Sequence, residues 1–408
     1  MMKRSRKIIL FLLLILTCKY QGLEMRRIQL TSFDIPEKIS DSVNLNSLSE
    51  SSGKSIVLLL QSGWLSYVQQ NFKPILRAIG IFASVSSVTH TVLMLASVLP
   101  LWDASPIIPG NVLIIMCTLV MDFNIMGVMY ISFIHKIDFS RFEKKARALG
   151  FDYDNPIMAN ILKRARRKVT IIQVVFVFSW FVNTIVFSII FYINDSHKGS
   201  TVATIEIIHV LNCVLIPLLP SNKIFTLFTS AIFIRSVFTL FNQRLMDHSQ
   251  WTFTDLRFYR KMYSQAIDLT KSINQIWQNF LVIFYPAVNG FVLYFIFYTI
   301  TGPVSMLRYA ILGFLAATFI LLFVYTNRFI TGVNIEAFAI YDTIYIISLN
   351  NKDVTYTEEA NLFLKRIGRQ DVGFSYETYM VYSPRLVGSV LTLLSTIMIA
   401  FPTFTRHY

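Results

Sequence analysis

Apolar residues in this chain come in long blocks rather than in the short periodic faces of a soluble core. A helix needs roughly 20 mostly apolar residues to cross a hydrocarbon layer. Seven stretches meet that length, at 79–101, 110–134, 169–193, 222–241, 280–301, 308–327 and 383–404. The fourth sits inside a longer apolar region in which two runs, 205–219 and 224–241, flank "PSNK". Each run alone is short for a crossing. The pattern therefore predicts that the second run spans while the first lies at the outer surface or dips into protein, because irregular backbone at depth must be buried. The prediction is an all-α membrane protein with seven transmembrane helices.

Basic residues give these helices a direction. Residues 1–78 carry 11 Lys and Arg and the 135–168 loop carries 10, whereas the loops on the other side carry almost none. The positive-inside rule places the N-terminus in the cytoplasm and the C-terminus outside. Counting 205–241 as two crossings would send "RFYRK" (257–261) outward, which the rule disfavours. The extreme N-terminus, "KRSRKIILFLLLILTC", has the basic start and short apolar core of a signal peptide. Its apolar core is too short to span, so it reads as a surface-associated segment or an upstream extension, with a cleaved signal as the alternative. A sequon at Asn194, "NDS", falls in the second outer loop.

Composition agrees. Of 408 residues 54% are hydrophobic and 15% charged, and the mean hydropathy is +0.55, far from a soluble domain. The net charge of +14 is gathered in blocks between apolar segments, which fits cytoplasmic loops and not a nucleic-acid face. Three cysteines, Cys18, Cys117 and Cys213, lie in or beside apolar stretches, so neither a disulfide framework nor a metal site is indicated. No HExxH, DDxxD, GxSxG or phosphate loop occurs. No enzyme and no cofactor are expected.

Between the spans, residues 1–70 combine the basic, apolar start with a Ser-rich segment that reads as a mobile cytoplasmic tail, leaving 71–408 as the transmembrane domain. The 135–168 loop breaks at Asn155-Pro156 into two short basic helices, read as stop-transfer charge with attraction to anionic lipid. After the fourth span, Leu256, Tyr259, Met262, Ala266, Leu269, Ile273 and Trp277 recur every three or four residues and run straight into the fifth span. Spans four and five are thus expected to extend into the cytoplasm, with anchor helices at 242–279 and 330–382. The exposed stripe needs a partner, either within the chain or in another subunit. Before the last span, Leu362, Leu364 and Ile367 followed by "VGFS" predict a shorter helix and a turn.

Three features resemble the insect-type gustatory and odorant chemoreceptor superfamily. They are "YVQQNFKPILRAIGIF" (67–82) ahead of the first span, "INQIWQNF" (273–280) in the link into span five, and the last span. There the family favours Thr-Tyr, five apolar residues, then Gln-Phe. This chain has Thr396, Ile397, "MIAFP", Thr403 and Phe404, so Thr396, the spacing and Phe404 match while Ile397 and Thr403 depart. The resemblance covers about residues 67–404 and fits a divergent gustatory-receptor-like member. It implies a homo- or heterotetrameric ligand-gated cation channel of the plasma membrane, joined through the cytoplasmic anchor helices, with the last span lining the pore and an unknown small molecule bound among the outer halves of the other spans.

On that last span Ser389, Thr392 and Thr396 recur at intervals of three and four with Ser395 beside them, and Ile399 and Thr403 continue the stripe. Hydroxyls on one face can line a wet pore, and Ile399 is a candidate dewetting ring. The plainer reading is that Ser and Thr bond the carbonyl one turn back or glue helices together. Polar groups elsewhere in the spans are His90, Asp122, Asn124, Asn183, Arg235 and Asn289. The first four are candidates for a ligand pocket or for packing pairs, and Arg235 can snorkel to the cytoplasmic edge. A transporter, or a non-conducting receptor of the same fold, is the alternative. The orientation has a direct test: an epitope tag fused after Tyr408 is expected to bind antibody on intact cells, and labelling only after permeabilisation would reverse the topology.

Overall fold

The computed structural model describes residues 156–195, 200–248, 251–301, 306–349, 353–376 and 380–405, together with isolated positions between 74 and 89 and between 139 and 146. Six helices and one hairpin make up the continuous parts. They are α1 (Pro156–Asp195), α2 (Ser200–Met246), α3 (Phe253–Thr301), α4 (Met306–Leu349), α5 (Val354–Ile367), strands β1 (Ser375–Tyr376) and β2 (Met380–Val381), and α6 (Pro384–Thr405). The expected tail, the second span and all but isolated positions of the first lie outside the described residues.

Local chemistry sets the helix starts. Pro156 opens α1, where its missing N–H costs nothing. At α3, Thr252 and Asp255 form a reciprocal cap: the Asp255 N–H donates to Thr252 Oγ1 (3.2 Å) while the Thr252 N–H donates to Asp255 Oδ2 (3.0 Å). The Thr252 hydroxyl donates to the same carboxylate and holds the Asp255 pKa below its ordinary value. Asp353 caps α5 by accepting from the Thr355 N–H at 3.2 Å.

One expectation is corrected here. Residues 205–219 and 224–241 belong to a single helix, and α2 runs from Ser200 to Met246 through Pro217 and Pro220 without a break. "PSNK" interrupts the hydropathy but not the backbone. Helix α4 is likewise continuous over 44 residues, so the segment placed at its cytoplasmic end extends the same rod. Among the described residues, Lys223–Met246 and Ile320–Leu349 are each long and apolar enough to cross a bilayer. The second window reaches well past the expected 308–327.

The core is aromatic. Phe142 meets Phe233 edge-on at 5.4 Å, Trp277 meets Phe280 at 5.8 Å, and Tyr263 packs between Phe238 (5.8 Å) and Phe363 (5.5 Å). The α3 stripe is absorbed inside the chain: Leu256, Ala266, Leu269, Ile273 and Trp277 are all buried, with Tyr259 and Met262 packed at the margin. Between the two partners open to that stripe, the chain itself supplies the cover, through α2, α4 and α5. Because α3 is enclosed on more than one side, Tyr263, Ile267 and Thr270 are buried too, and burial raises the Tyr263 phenol well above its ordinary pKa. Its hydroxyl donates to the Ala337 carbonyl at 3.2 Å. Helix α5 buries Phe363, Leu364 and Ile367 and leaves Leu362 exposed. An ion pair joins Arg260 of α3 to Glu359 of α5.

The hairpin is held from α3. Asn274 donates from Nδ2 to Ser375 Oγ (2.7 Å) and accepts from the Ser375 N–H at Oδ1 (2.9 Å), using both ends of its amide. From α4, Asn334 Nδ2 donates to the Val372 carbonyl at 2.9 Å. Gly373 has φ +148°, and a Cβ there would sit 3.0 Å from Val381 Cγ1, so both backbone and space require glycine. Replacing Asn274 by Ala removes both bonds to Ser375 and strands a half-buried N–H. The loss expected is about 1–3 kcal/mol, read as a lower melting temperature of detergent-solubilised protein, with the exposed Asn279→Ala unchanged.

Candidate functional site

The start of α6 is fixed more firmly than its length. Ser383 and Pro384 form the cap: the Leu386 N–H donates to Ser383 Oγ (3.4 Å) and the Val387 N–H to the Ser383 carbonyl (3.2 Å). One residue earlier, the Tyr382 N–H donates to the Phe374 carbonyl at 2.8 Å. The Tyr382 ring is buried edge-on against Tyr285 of α3 at 4.9 Å. Tyr285 in turn donates its hydroxyl to Asn327 Oδ1 of α4 at 3.0 Å. The base of α6 is thus tied to α3, α4 and the hairpin at once.

Beyond that base, α6 has two distinct faces. Val387 and Leu391 are buried against the rest of the chain. At 100° per residue, Ser389, Thr392 and Thr396 fall about 100–200° around from that seam, and all three are exposed, while Ser395 at the edge of the arc is half-buried. The predicted hydroxyl stripe therefore faces away from the protomer. Two of its members also satisfy themselves internally: Thr392 Oγ1 donates to the Gly388 carbonyl and Thr396 Oγ1 to the Thr392 carbonyl, each at 2.9 Å. Back-bonded hydroxyls still present an oxygen to whatever lies outside. Ile399, Thr403 and Phe404 belong to the same helix, and their side chains lie outside the description.

The other predicted positions divide. His90, Asp122 and Asn124 lie outside the described residues. Asn183 is in α1 by its backbone alone. Asn194 is the penultimate residue of α1 and so sits in a helical last turn, not in the loop expected for it. Arg235 does more than snorkel. Its Nε stands 3.4 Å from Glu336 Oε2 on α4, and Thr239 Oγ1 donates to Glu336 Oε1 at 3.0 Å. The guanidinium passes beside Gly332, where a Cβ would make an ordinary 3.6 Å contact with Arg235 Nη1. Glu336 was missed from sequence. It is the only acid in "FITGVNIEAFAI", and an acid in an apolar run was the available signal, because such a group needs a partner. Among the described residues no cluster could hold a metal.

Searches with known proteins give a structural likeness only. No protein-family model matches the chain, and no curated protein matches it by sequence. The chain is similar in structure to the insect olfactory receptor OR5 from Machilis hrabei, with a TM-score of 0.54 at 10% identity over 82% of this chain and 89% of that one. It is also similar to the same receptor in complex with eugenol, with a TM-score of 0.50 at 9% identity over 83% and 100% of the two chains. The chain has the fold of these receptors. Within that fold the α2–α4 pair is testable: Glu336→Ala leaves the Arg235 guanidinium without its carboxylate and is expected to cost about 1–2 kcal/mol after allowing for the partial exposure of Arg235. Thermal unfolding in detergent should show the loss, and Arg235→Met combined with Glu336→Leu should restore most of it.

Proposed function

We propose that this chain is a chemosensory receptor of the insect odorant and gustatory type, a ligand-gated cation channel of the plasma membrane whose pore is lined by α6 from four copies. The observation that carries the proposal is the outward hydroxyl stripe of α6. Ser389, Thr392 and Thr396 lie opposite the seam that buries Val387 and Leu391, so a face with oxygen at every turn is offered away from its own protomer in a segment otherwise fit for lipid. A shared wet axis between copies would hydrate the oxygens of such a face.

The assembly has support elsewhere. Ile335, Phe338, Tyr345, Ile346 and Leu349 form an exposed, mostly apolar stripe along the end of α4, with Asp342 the one charge among them, in the part assigned to the cytoplasm. Water disfavours a stripe of that length, and a second copy of the chain would cover it. The likeness includes a receptor solved with eugenol, which supports a small, mostly apolar molecule as the ligand class proposed for this chain. The internal hydroxyl bonds of Thr392 and Thr396 favour a second reading, a receptor of the same fold that does not conduct.

Whole-cell recording separates the two. With Thr392→Cys or Thr396→Cys, agonist-evoked current should fall severalfold on exposure to a cationic methanethiosulfonate reagent, whereas Leu391→Cys, buried in the seam at least about 100° away on the helix, should be insensitive. Normal surface expression with no current across a broad odorant and tastant panel would favour the non-conducting reading.

A further inference from the structure

We infer that α1 carries a binding site for one anionic phospholipid of the cytoplasmic leaflet, held at the headgroup by Lys163, Arg167 and Lys168 and along its acyl chain by the apolar groove above them. The inference goes beyond the channel reading and requires only that α1 enters a bilayer from its basic end.

Helix α1 has one buried and one open side. Leu162, Ala165, Val169, Gln173, Phe176 and Trp180 are buried and fall within about 80° of one another at 100° per residue. The opposite arc, about 140° wide, is exposed along its whole length, and its chemistry changes once. Over its first turns it presents Lys163, Arg164, Arg167 and Lys168. From Ile171 to Val186 every exposed large side chain on it is apolar, with Phe178 and Phe181 the largest. That apolar part is about 22 Å long by helical rise, comparable to one leaflet's share of the hydrocarbon plus its ester zone. A groove of about 210 Å³ lined by Val174, Val177, Phe178 and Phe181 opens on the same arc, and it begins about 10 Å along the axis from Arg167.

An occupant of this face must be anionic at one end and apolar at the other, with the join between residues 168 and 171. A soluble phosphate meets the first requirement only, and an acidic peptide would leave the groove in contact with lipid. A phospholipid meets both. Arg167 and the lysines offer fork and point donors to a phosphate, each cation near an anionic surface adding its own increment of attraction. Arg166 supplies the internal control: it lies about 130° from the middle of the open arc and is half-buried, whereas Lys163, Arg167 and Lys168 lie within about 70° of that middle and are exposed. Diffuse attraction between a basic loop and a negative surface would not distinguish it from its neighbours. A site on the open arc would.

Native mass spectrometry of the full-length protein, titrated with phosphatidylserine, phosphatidylinositol 4,5-bisphosphate or phosphatidylcholine, tests this. One anionic lipid per chain should be retained in preference to phosphatidylcholine. Lys163→Gln, Arg167→Gln and Lys168→Gln together should weaken retention at least about tenfold, Arg166→Gln should leave it unchanged, and the charge-preserving exchange K163R/R167K/K168R should keep it, which separates lost contacts from misfolding. Equal retention of phosphatidylcholine, or an Arg166→Gln loss as large as that of the triple variant, would overturn the site. Full displacement of the lipid by an equal concentration of inositol hexakisphosphate would also overturn it, by assigning the cluster to a soluble anion.

Discussion

Three of the described helices are more than twice as long as a bilayer core is thick. At 1.5 Å per residue α2, α3 and α4 measure about 70, 73 and 66 Å, against a hydrocarbon core of about 30 Å. A rod of that length that crosses a bilayer leaves more than half of itself in water or headgroups, where an apolar face that lipid tolerates becomes a liability. The buried aromatic core around Trp277, Tyr263 and Phe363 answers that constraint. It packs the protruding ends of the three rods against each other and against α5. Other features follow from it: the enclosure of α3 on several sides, the ion pairs at Arg235 and Arg260, and the apolar strip of α4 left open for a further partner.

How far the sequence disclosed this depends on the range of the interaction. The periodic stripe from Leu256 to Trp277 is a local signal, and it marked the buried side of α3 correctly because helical spacing projects directly onto a face. The same reasoning isolated Ser389, Thr392 and Thr396, which do share an exposed arc. It failed at "PSNK", where polar residues were taken to end a helix. Hydropathy measures how residues partition, whereas helix continuity depends on backbone hydrogen bonds, and neighbouring groups can satisfy those around a proline. It was silent on Tyr263, whose burial comes from Phe238 of α2 and from Phe363 of α5, a hundred residues on. Arg235 was legible as an oddity, but its partner Glu336 is likewise about a hundred residues away, and nothing in the local pattern points there.

The attachment of α6 follows a different logic from the core. Burying Val387 and Leu391 would add about 1.5–3 kcal/mol each in water, but between helices in lipid that driving force largely disappears, since the alternative neighbours are equally apolar. What remains is packing and the polar tie at the base: Tyr382 to the Phe374 carbonyl, Asn274 to Ser375, and the Tyr382–Tyr285–Asn327 contacts. A helix held at one end and weakly guided along its length can tilt about that end at small energetic cost. In an assembly its outward hydroxyls would meet the same face of neighbouring copies, so small rotations about the base would move Thr392 and Thr396 toward or away from a shared axis. The residues that decide where α6 points are thus in the hairpin and on α3, outside the hydroxyl-bearing part of α6 itself.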